Sequence, residues 1–406
     1  MPARSIFAVI AAQLAACAAH APLVEPRKAP LVARQTESDA YTRYELLAPG
    51  SAQFRIVYDV TATTAGAESY FNPIRPGSEA TDESVLDRSN GEPLRFEIVR
   101  GAAARAGGVA GAKDDDQFIQ VHLARPVPAD GQARIRIIKT YRDEKSYFER
   151  DGALVFTRPL GIRRNSVLLP AGAELLRCDY PSQVLTEASG RVLISFIGVG
   201  EGAVPLTVEA RKTAAALRPS TPPIPERAIQ DRQIVYSLQQ PETHSFDLHH
   251  DYTESKAGTD KYLNIVRPGS TASNPSARIL DTGVSLPVEK LRGFAITAAG
   301  LDLGEPVKEE TEVVVVRFPA VREGESVRLR ISETYTDSAS YRLDGGQLIF
   351  DRSFGRPANA VILPPGWALS GSSVPATISI SEDRVRLDFV NARNDEIRVV
   401  ITAVKR

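Results

Sequence analysis

The stretch DLHHDYTES (247–255) gathers residue types that bind transition metals. His250, Asp251 and Glu254 offer imidazole and carboxylate ligands, both of which zinc accepts. On a strand, however, His249 and His250 point to opposite faces, so one ion cannot take both. The stretch is therefore either a metal candidate built on His250, Asp251 and Glu254 or a polar strand surface. We expect the polar surface, with no metal and no other cofactor.

A second candidate for binding is a phrase that occurs twice, as YFNPIRPGSE (70–79) and as YLNIVRPGST (262–271). The residue before a proline is held extended, and Pro followed by Gly suits the centre of a type II turn. We expect a turn after a strand in both copies, with the Asn side chain capping it. The alternative is a loop that contacts a ligand or partner through Asn72, Arg75, Asn264 and Arg267.

Aromatic residues recur in the same way, and Tyr147 and Tyr341 are the pair with a chemical use. Exposed aromatic rings can stack on sugars, which makes these two tyrosines candidates for contact with a glycan or a protein partner. Buried tyrosines at strand ends instead bond their hydroxyls to the backbone. Arg158 and Arg352 follow equivalent phenylalanines, and we expect each to bind a buried carboxylate.

Motifs for catalysis and for nucleotide binding are missing from the chain. GxSxG, HExxH, GxGxxG, CxxC and P-loop patterns do not occur in the 406 residues. The net charge of −1 provides no field for nucleic acid. Cys178 is expected to be a small buried apolar residue. These observations favour a protein without catalytic activity that does not bind nucleic acid.

The first residues have the pattern of an export signal. Arg4 precedes the apolar run IFAVIAAQLAA, and Leu14-Ala15-Ala16-Cys17 follows as a lipobox. We expect residues 1–16 to be a signal peptide and Cys17 to carry the lipid that holds the protein to a membrane. The residue after Cys17 favours the outer membrane, with the protein facing the periplasm. The alternative is ordinary cleavage after Ala19-His20-Ala21.

The repeated phrase belongs to a longer internal match between the two halves. Phe54 aligns with Phe246, and Thr140-Tyr141 aligns with Thr334-Tyr335 after a small shift of offset. The order of matches is kept along both halves, which indicates a duplicated domain. We expect domains at residues 41–212 and 231–406, a Pro-rich linker at 213–230, and a lipidated tether at 17–40.

Both halves alternate apolar and polar residues with a period of two. In AQFRIVYDV, Phe54, Ile56, Tyr58 and Val60 share one face. Many such strands separated by Gly and Pro turns predict an all-β protein with two related antiparallel β-sandwich domains. A barrel in each half is the alternative.

The stretch at 151–196, from DGALVFTRPLGIRRNSVLLP to RVLISF, resembles secreted or envelope proteins of Gram-negative bacteria. Some of these proteins place such β-domains ahead of metallopeptidase-like regions. The resemblance implies exported β-sandwich modules of envelope lipoproteins. It implies no catalytic residue, because the HExxH segment of the peptidase region is missing here.

Two functions remain open from the sequence. The first is a non-catalytic, lipid-anchored envelope protein that binds or scaffolds a protein or a glycan. The second is a hydrolase acting on peptide or glycan, with a site at the junction of the two domains, where residues distant in sequence would meet.

Overall fold

The structure is a computed structural model that describes residues 33–200 and 202–406. Strands dominate it, and they fall into an N-terminal set (residues 37–212) and a C-terminal set (residues 233–405). A short α-helix follows the fifth strand of the N-terminal set, and another lies at the corresponding place in the C-terminal set. The prediction of an all-β protein is confirmed.

The N-terminal set comprises β1 (Glu37–Leu46), β2 (Gln53–Ala62), β3 (Ser69–Ile74), β4 (Glu79–Asp87), β5 (Phe96–Arg100), α1 (Gly101–Ala106), β6 (Gln117–His122), β7 (Ala133–Arg142), β8 (Tyr147–Arg150), β9 (Ala153–Leu160), β10 (Arg164–Leu168), β11 (Ala173–Cys178), β12 (Gln183–Thr186), β13 (Val192–Ile197) and β14 (Val204–Lys212).

The C-terminal set comprises β15 (Gln233–Leu238), β16 (Ser245–Glu254), β17 (Lys261–Ile265), β18 (Thr271–Ile279), β19 (Ser285–Leu286), β20 (Val288–Arg292), α2 (Phe294–Ala298), β21 (Glu312–Arg317), β22 (Val327–Thr336), β23 (Tyr341–Asp344), β24 (Gln347–Phe354), β25 (Ala358–Ile362), β26 (Trp367–Ser372), β27 (Thr377–Ser381), β28 (Arg384–Val390) and β29 (Ile397–Lys405), with a 3₁₀ turn at Pro241–Thr243.

Each set forms three sheets with the same strand order, except that β19 adds an eighth strand to the main sheet of the second set. The main sheet runs β12-β13-β10-β1-β2-β7-β4 in the first set and β27-β28-β25-β15-β16-β22-β18-β19 in the second. Sheets β11-β14-β9-β8 and β3-β6-β5 complete the first set, and β23-β24-β29-β26 and β17-β21-β20 complete the second. Pairing is antiparallel except for β1 with β10 and β15 with β25. The duplication and the domain boundaries stay predictions.

Aromatic side chains fill the space between the facing sheets. Phe54 of β2 meets Phe156 of β9 edge to face at 5.4 Å between ring centroids, and Phe246 of β16 meets Phe350 of β24 in the same way at 5.5 Å. Two sheets that enclose such a layer are a sandwich. Phe54, Ile56, Tyr58 and Val60 of β2 are all buried, as the period of two predicts, but Asp59 and Thr61 on the other face of the strand are buried as well.

The last residues of the predicted linker pack against both sets of strands. Arg227 is buried, and its guanidinium donates to the carbonyl oxygens of Asn391 (3.0 Å) and Gly355 (2.8 Å). The neighbouring Glu226 accepts from Ser195 of β13 at 2.8 Å. At the first boundary, β1 begins at Glu37, which precedes the predicted start of the domain at residue 41.

A buried ion pair also connects the two sets. Arg134 of β7 donates two hydrogen bonds to the Asp281 carboxylate, at 2.7 and 2.8 Å. The two side chains are only 1% and 5% exposed.

Among the described residues, no helix is long and apolar enough to cross a membrane.

Candidate functional site

An open cleft of about 490 Å³ lies between the main sheet and the three-stranded sheet of the N-terminal set. It exists because the chain leaves the main sheet after β2, and β3 pairs with β6 over the face of β7. At its edge, Gly107 lies against the ring of Phe71, where a Cβ would come within 2.1 Å of a ring carbon. Only glycine permits this approach, which fixes Phe71 as one wall of the cleft.

Lys139 lies on the floor of the cleft. On β7, Lys139 pairs with Ile56 of β2, so its side chain points to the buried face of the sheet. The side chain is 4% exposed, and Nζ donates to Oδ1 of Asn72 at 2.7 Å. The ammonium group lies 5.0 Å from the centre of the Tyr141 ring. A lysine in this position is shielded from water on most sides.

Burial, together with the Arg158 cation, lowers the pKa of Lys139 to about 7, although Glu83 acts in the opposite direction. The cause is the loss of hydration by the charged form, which an amide oxygen does not replace as a carboxylate would. Lys139 therefore changes its charge near neutral pH.

Arg158 of β9 stands beside Lys139, with its guanidinium over the rings of Phe54 and Tyr141 at 5.4 and 5.5 Å. Nη1 donates to Oδ2 of Asp143 at 3.2 Å and to Ser146 at 3.4 Å. Arg158 thus binds a carboxylate, as predicted, but Asp143 is only half-buried. Arg352 makes the equivalent bond to Asp337 at 3.2 Å.

Arg75 belongs to the turn that the repeated phrase predicts. Ser78 N–H donates to the Arg75 carbonyl at 3.1 Å, and Gly77 has a φ of 82°. These features confirm a type II turn. The Arg75 side chain lines the cleft and also a neighbouring cleft of about 440 Å³ that contains Asp143 and Lys145. Within the described chain, its guanidinium makes no hydrogen bond or ion pair, so the charge is available to a ligand.

The cleft as a whole is positively charged. Of the described residues that line it, four are cationic and one, Glu37, is a carboxylate. The cations are Arg34, Arg75, Lys139 and Arg158. Tyr70 donates to Glu37, and its hydroxyl lies 3.4 Å from that of Tyr58. The aromatic walls and the excess of positive charge fit a ligand with an anionic group and a flat or apolar face.

The corresponding place in the C-terminal set has the opposite charge. There Glu333 of β22 is 2% exposed and accepts from Nδ2 of Asn264 through both oxygens, at 2.9 Å each. Burial raises the pKa of Glu333 to about 6; the bond from Asn264 lowers it, and nearby Glu312 raises it. Neither Asn72 nor Asn264 caps its turn as we expected, because each side chain bonds to the buried charge facing it.

Arg267 is in the same kind of turn as Arg75. Ser270 N–H donates to the Arg267 carbonyl at 3.0 Å, and Gly269 has a φ of 84°. One difference is that Nη1 of Arg267 reaches Oγ of Ser340 at 3.5 Å. The two turns therefore have the same backbone and different surroundings.

The two candidate tyrosines lie in the core. Tyr147 is 1% exposed and donates to the Leu47 carbonyl at 3.1 Å, and Tyr341 is 0% exposed and donates to the Gln239 carbonyl. Their hydroxyls bond to the backbone, as expected for a structural role. Cys178 is half-buried, and Sγ lies 3.2 Å from the Tyr180 carbonyl.

The metal candidates have other partners. The Asp251 carboxylate accepts two bonds from Arg330 at 2.7 Å each, and Glu254 accepts from Tyr252. Burial, together with the nearby Arg356 cation, lowers the pKa of His250 to about 3. Within the described part of the chain, no group of three or more His, Cys, Asp or Glu residues could hold a metal ion. Cys17 lies outside the described residues.

A cavity of about 420 Å³ lies at the junction between the two sets, where the hydrolase alternative would have its site. Asp231 lines it and is paired with Arg328 at 3.2 Å, and Thr253 donates to it at 2.8 Å. Burial raises the pKa of Asp231, but Arg328 and Thr253 outweigh it and leave the pKa below its usual value. This carboxylate has the environment of a structural ion pair.

Lys139 and Glu333 belong to no known motif, but the alternation of apolar and polar residues in their strands marks both of them. In ARIRIIKTY the buried face comprises Ile135, Ile137, Lys139 and Tyr141. A lysine at a position where the period of two demands an apolar residue marks a buried charge. Glu333 follows Leu329 and Ile331 in the same way in VRLRISETY.

No protein-family model matches the chain, and no curated protein matches it. Among solved structures, it is similar to an M1 zinc metallopeptidase from Deinococcus radiodurans, with 15% identity and a TM-score of 0.30 over 44% of this chain and 42% of that chain. An aminopeptidase N family protein from Idiomarina loihiensis has 12% identity and a TM-score of 0.25 over 42% of this chain and 29% of that chain. The chain thus spans less than half the length of either protein. Likenesses of this size carry no inference about activity.

Proposed function

We propose that the chain is a non-catalytic binding module that takes the anionic group of its ligand into the cleft of the N-terminal set. The observation that carries the proposal is the Lys139 side chain, buried on the floor of an open, positively charged cleft with an amide as its hydrogen-bond partner. A charge that only stabilised the fold would be expected to face a carboxylate.

The ligand class follows from the lining of the cleft. Arg75 and Lys139 would bind a carboxylate, and the tyrosine walls would pack against a sugar ring or an apolar side chain. An acidic glycan or a peptide carboxylate has both features. This agrees with the sequence-based expectation of a glycan or protein ligand, and it adds the sign of the ligand's charge.

Two pairs of small probes test this function and separate the two sources of a carboxylate. Galacturonate is compared with galactose, and N-acetyl-phenylalanine with its amide, by isothermal titration calorimetry. We expect the acid of at least one pair to bind at least tenfold more tightly than its neutral partner, because a charge-assisted hydrogen bond contributes about 1.5–3 kcal/mol. Equal affinities of acid and neutral partner in both pairs would contradict the proposal.

Arg75→Gln is the informative variant, and Arg267→Gln is its matched control in an identical turn. We expect about a tenfold loss of affinity for the bound acid in the first variant and no change in the second. Unchanged binding by Arg75→Gln, with its thermal stability intact, would remove Arg75 from the site.

The location of the protein is a further part of the proposal. The lipobox at Cys17 supports a lipid anchor in the envelope, with the strand sets facing the periplasm. In this proposed location the cleft would be open to acidic glycans and peptides of the envelope.

A further inference from the structure

The amine of Lys139 has an unusual environment for a buried lysine. Within the described chain, its one side-chain hydrogen bond goes to Oδ1 of Asn72, at 2.7 Å. An amide oxygen accepts equally well from an ammonium group and from a neutral amine, so Asn72 holds the nitrogen in place without requiring its charge. The neutral amine keeps a lone pair, and the cleft is the solvent-accessible space next to it.

The charges around Lys139 favour the neutral amine. Arg158 approaches from β9 and opposes the ammonium group, whereas Glu83 of β4 favours it. Across the main sheet, β2 contributes Ile56, which is apolar. Glu37 of β1 lines the same cleft and accepts from Tyr70. A desolvated lysine next to another cation is the usual setting of an amine that acts as a nucleophile at neutral pH.

The cations that surround the amine also select its partner. Arg75 lines the cleft, and among the described residues its guanidinium has no hydrogen bond or ion pair. Arg158 lies over the Tyr141 ring, and the Lys139 ammonium group lies against the same ring. Arg75, which lines the same cleft as Lys139, would hold a small anion next to the amine, while Arg158 is bound to Asp143 and adds positive charge there. A carbonyl group adjacent to that anion would meet the nitrogen.

We propose that Lys139 forms a reversible imine with ligands that carry an aldehyde or ketone carbonyl next to a carboxylate, that is, with 2-oxo acids. This inference rests on the proposed function, because the same cleft must first bind the carboxylate. The nitrogen lone pair attacks the carbonyl carbon and gives a carbinolamine. The carbon–oxygen bond then breaks, and the oxygen leaves as water with the two protons that the nitrogen gives up. No oxidant or reductant takes part, and water reverses the reaction.

Glyoxylate with cyanoborohydride is the probe, because the hydride converts an imine into a stable carboxymethyl-lysine. The full chain is treated at pH 7, digested and analysed by peptide mass spectrometry. A pKa near 7 gives Lys139 a neutral fraction about a thousandfold larger than that of an ordinary lysine. Because a less basic amine is also a weaker nucleophile, we expect Lys139 to be labelled roughly ten- to a hundredfold faster than the exposed Lys145 and Lys405. Excess glycolate, which has the carboxylate but no carbonyl, should slow the labelling of Lys139 alone.

Asn72→Asp is a near-isosteric variant that separates reactivity from access. A carboxylate at position 72 would hold Lys139 protonated, so labelling at pH 7 should fall at least tenfold and recover at higher pH. Thermal unfolding of the variant checks that it folds. If it does not fold, the pH profile of labelling in the unmodified chain decides. Because the bound carboxylate favours the ammonium form, we expect half-maximal labelling of Lys139 above pH 7 but well below the pH at which the exposed lysines reach it.

Three outcomes can be told apart. Selective labelling of Lys139 that glycolate blocks supports the imine. Labelling spread over exposed lysines, with glyoxylate and glycolate binding at equal Kd, overturns the imine and leaves the anion site standing. If none of glyoxylate, glycolate, galacturonate and N-acetyl-phenylalanine binds, the proposed function itself is wrong.

Discussion

Replacing Lys139 by methionine should make the protein more stable at neutral pH. Methionine has a similar length and no charge, so it removes the cost of burying an ammonium group. The fall of the pKa of Lys139 from 10.5 to about 7 corresponds to roughly 5 kcal/mol of destabilisation of the charged form, at about 1.4 kcal/mol per pH unit. The variant loses the bond to Asn72, which leaves a buried amide oxygen unpaired and costs about 1–3 kcal/mol. A net gain of a few kcal/mol remains at pH 7 or below.

The pH dependence gives this prediction its sign. The pKa of Lys139 is lower in the folded state than in the unfolded state, so between pH 7 and pH 10.5 the unfolded chain binds more protons. The burial of Lys139 therefore costs no stability above pH 10.5, and its cost grows as the pH falls towards 7. The advantage of Lys139→Met should shrink by about 3 kcal/mol between pH 7 and pH 9.5.

Urea unfolding of both proteins across this pH range measures the difference. Lys145→Met, at an exposed lysine, is the control, and its difference from the unmodified chain should stay constant. Parallel curves for Lys139→Met and the unmodified protein would refute the reasoning, because they would mean that Lys139 has the same pKa in both states.

Three other changes have expected outcomes. Glu333→Gln should stabilise the protein by about 2 kcal/mol at pH 7.5 and by little below pH 4.5, because the raised pKa of Glu333 means that stability is lost as the pH rises through about 6. Urea unfolding at the two pH values measures this difference. An equal effect at both pH values would contradict the burial argument. Arg134→Met should cost about 3–5 kcal/mol because it leaves the buried Asp281 carboxylate without its cation. Arg398→Met, at a pair with a 72% exposed arginine, should leave the stability nearly unchanged, and similar losses in denaturant unfolding would be the contrary result. Cys17→Ser should move the protein from the membrane fraction to the soluble fraction after cell lysis, and unchanged fractionation would remove the lipid anchor.

Local patterns in the sequence were sufficient for the strands and turns. The period of two in β2 placed Phe54 and its neighbours inside, because successive side chains of a strand alternate between faces. Arg-Pro-Gly-Ser predicted its turn because only glycine accepts the positive φ at Gly77 and Gly269 without strain. The parallel pairing of β1 with β10 could not be predicted in the same way, since many strands lie between them in the chain.

The cleft required tertiary information. Asn72 was a candidate from its place in the repeated phrase, but its partner Lys139 lies 67 positions away and meets it only because β3 crosses the face of β7. Tyr147 was a candidate for ligand contact because it is aromatic, but it is buried and its hydroxyl bonds to the backbone. A lysine on the apolar face of a predicted strand was the available signal, and its meaning depends on whether a cleft opens beside it.

The pKa of Lys139 with and without an anionic ligand tests the central claim most directly. Lysine carrying ¹³C at the ε position reports this titration by NMR, and Lys139→Met assigns the signal. We predict a midpoint near 7 in the free protein, which moves upward when saturating glycolate occupies the cleft, because a bound carboxylate favours the ammonium form. A midpoint near 10.5 that glycolate leaves unchanged would contradict the account.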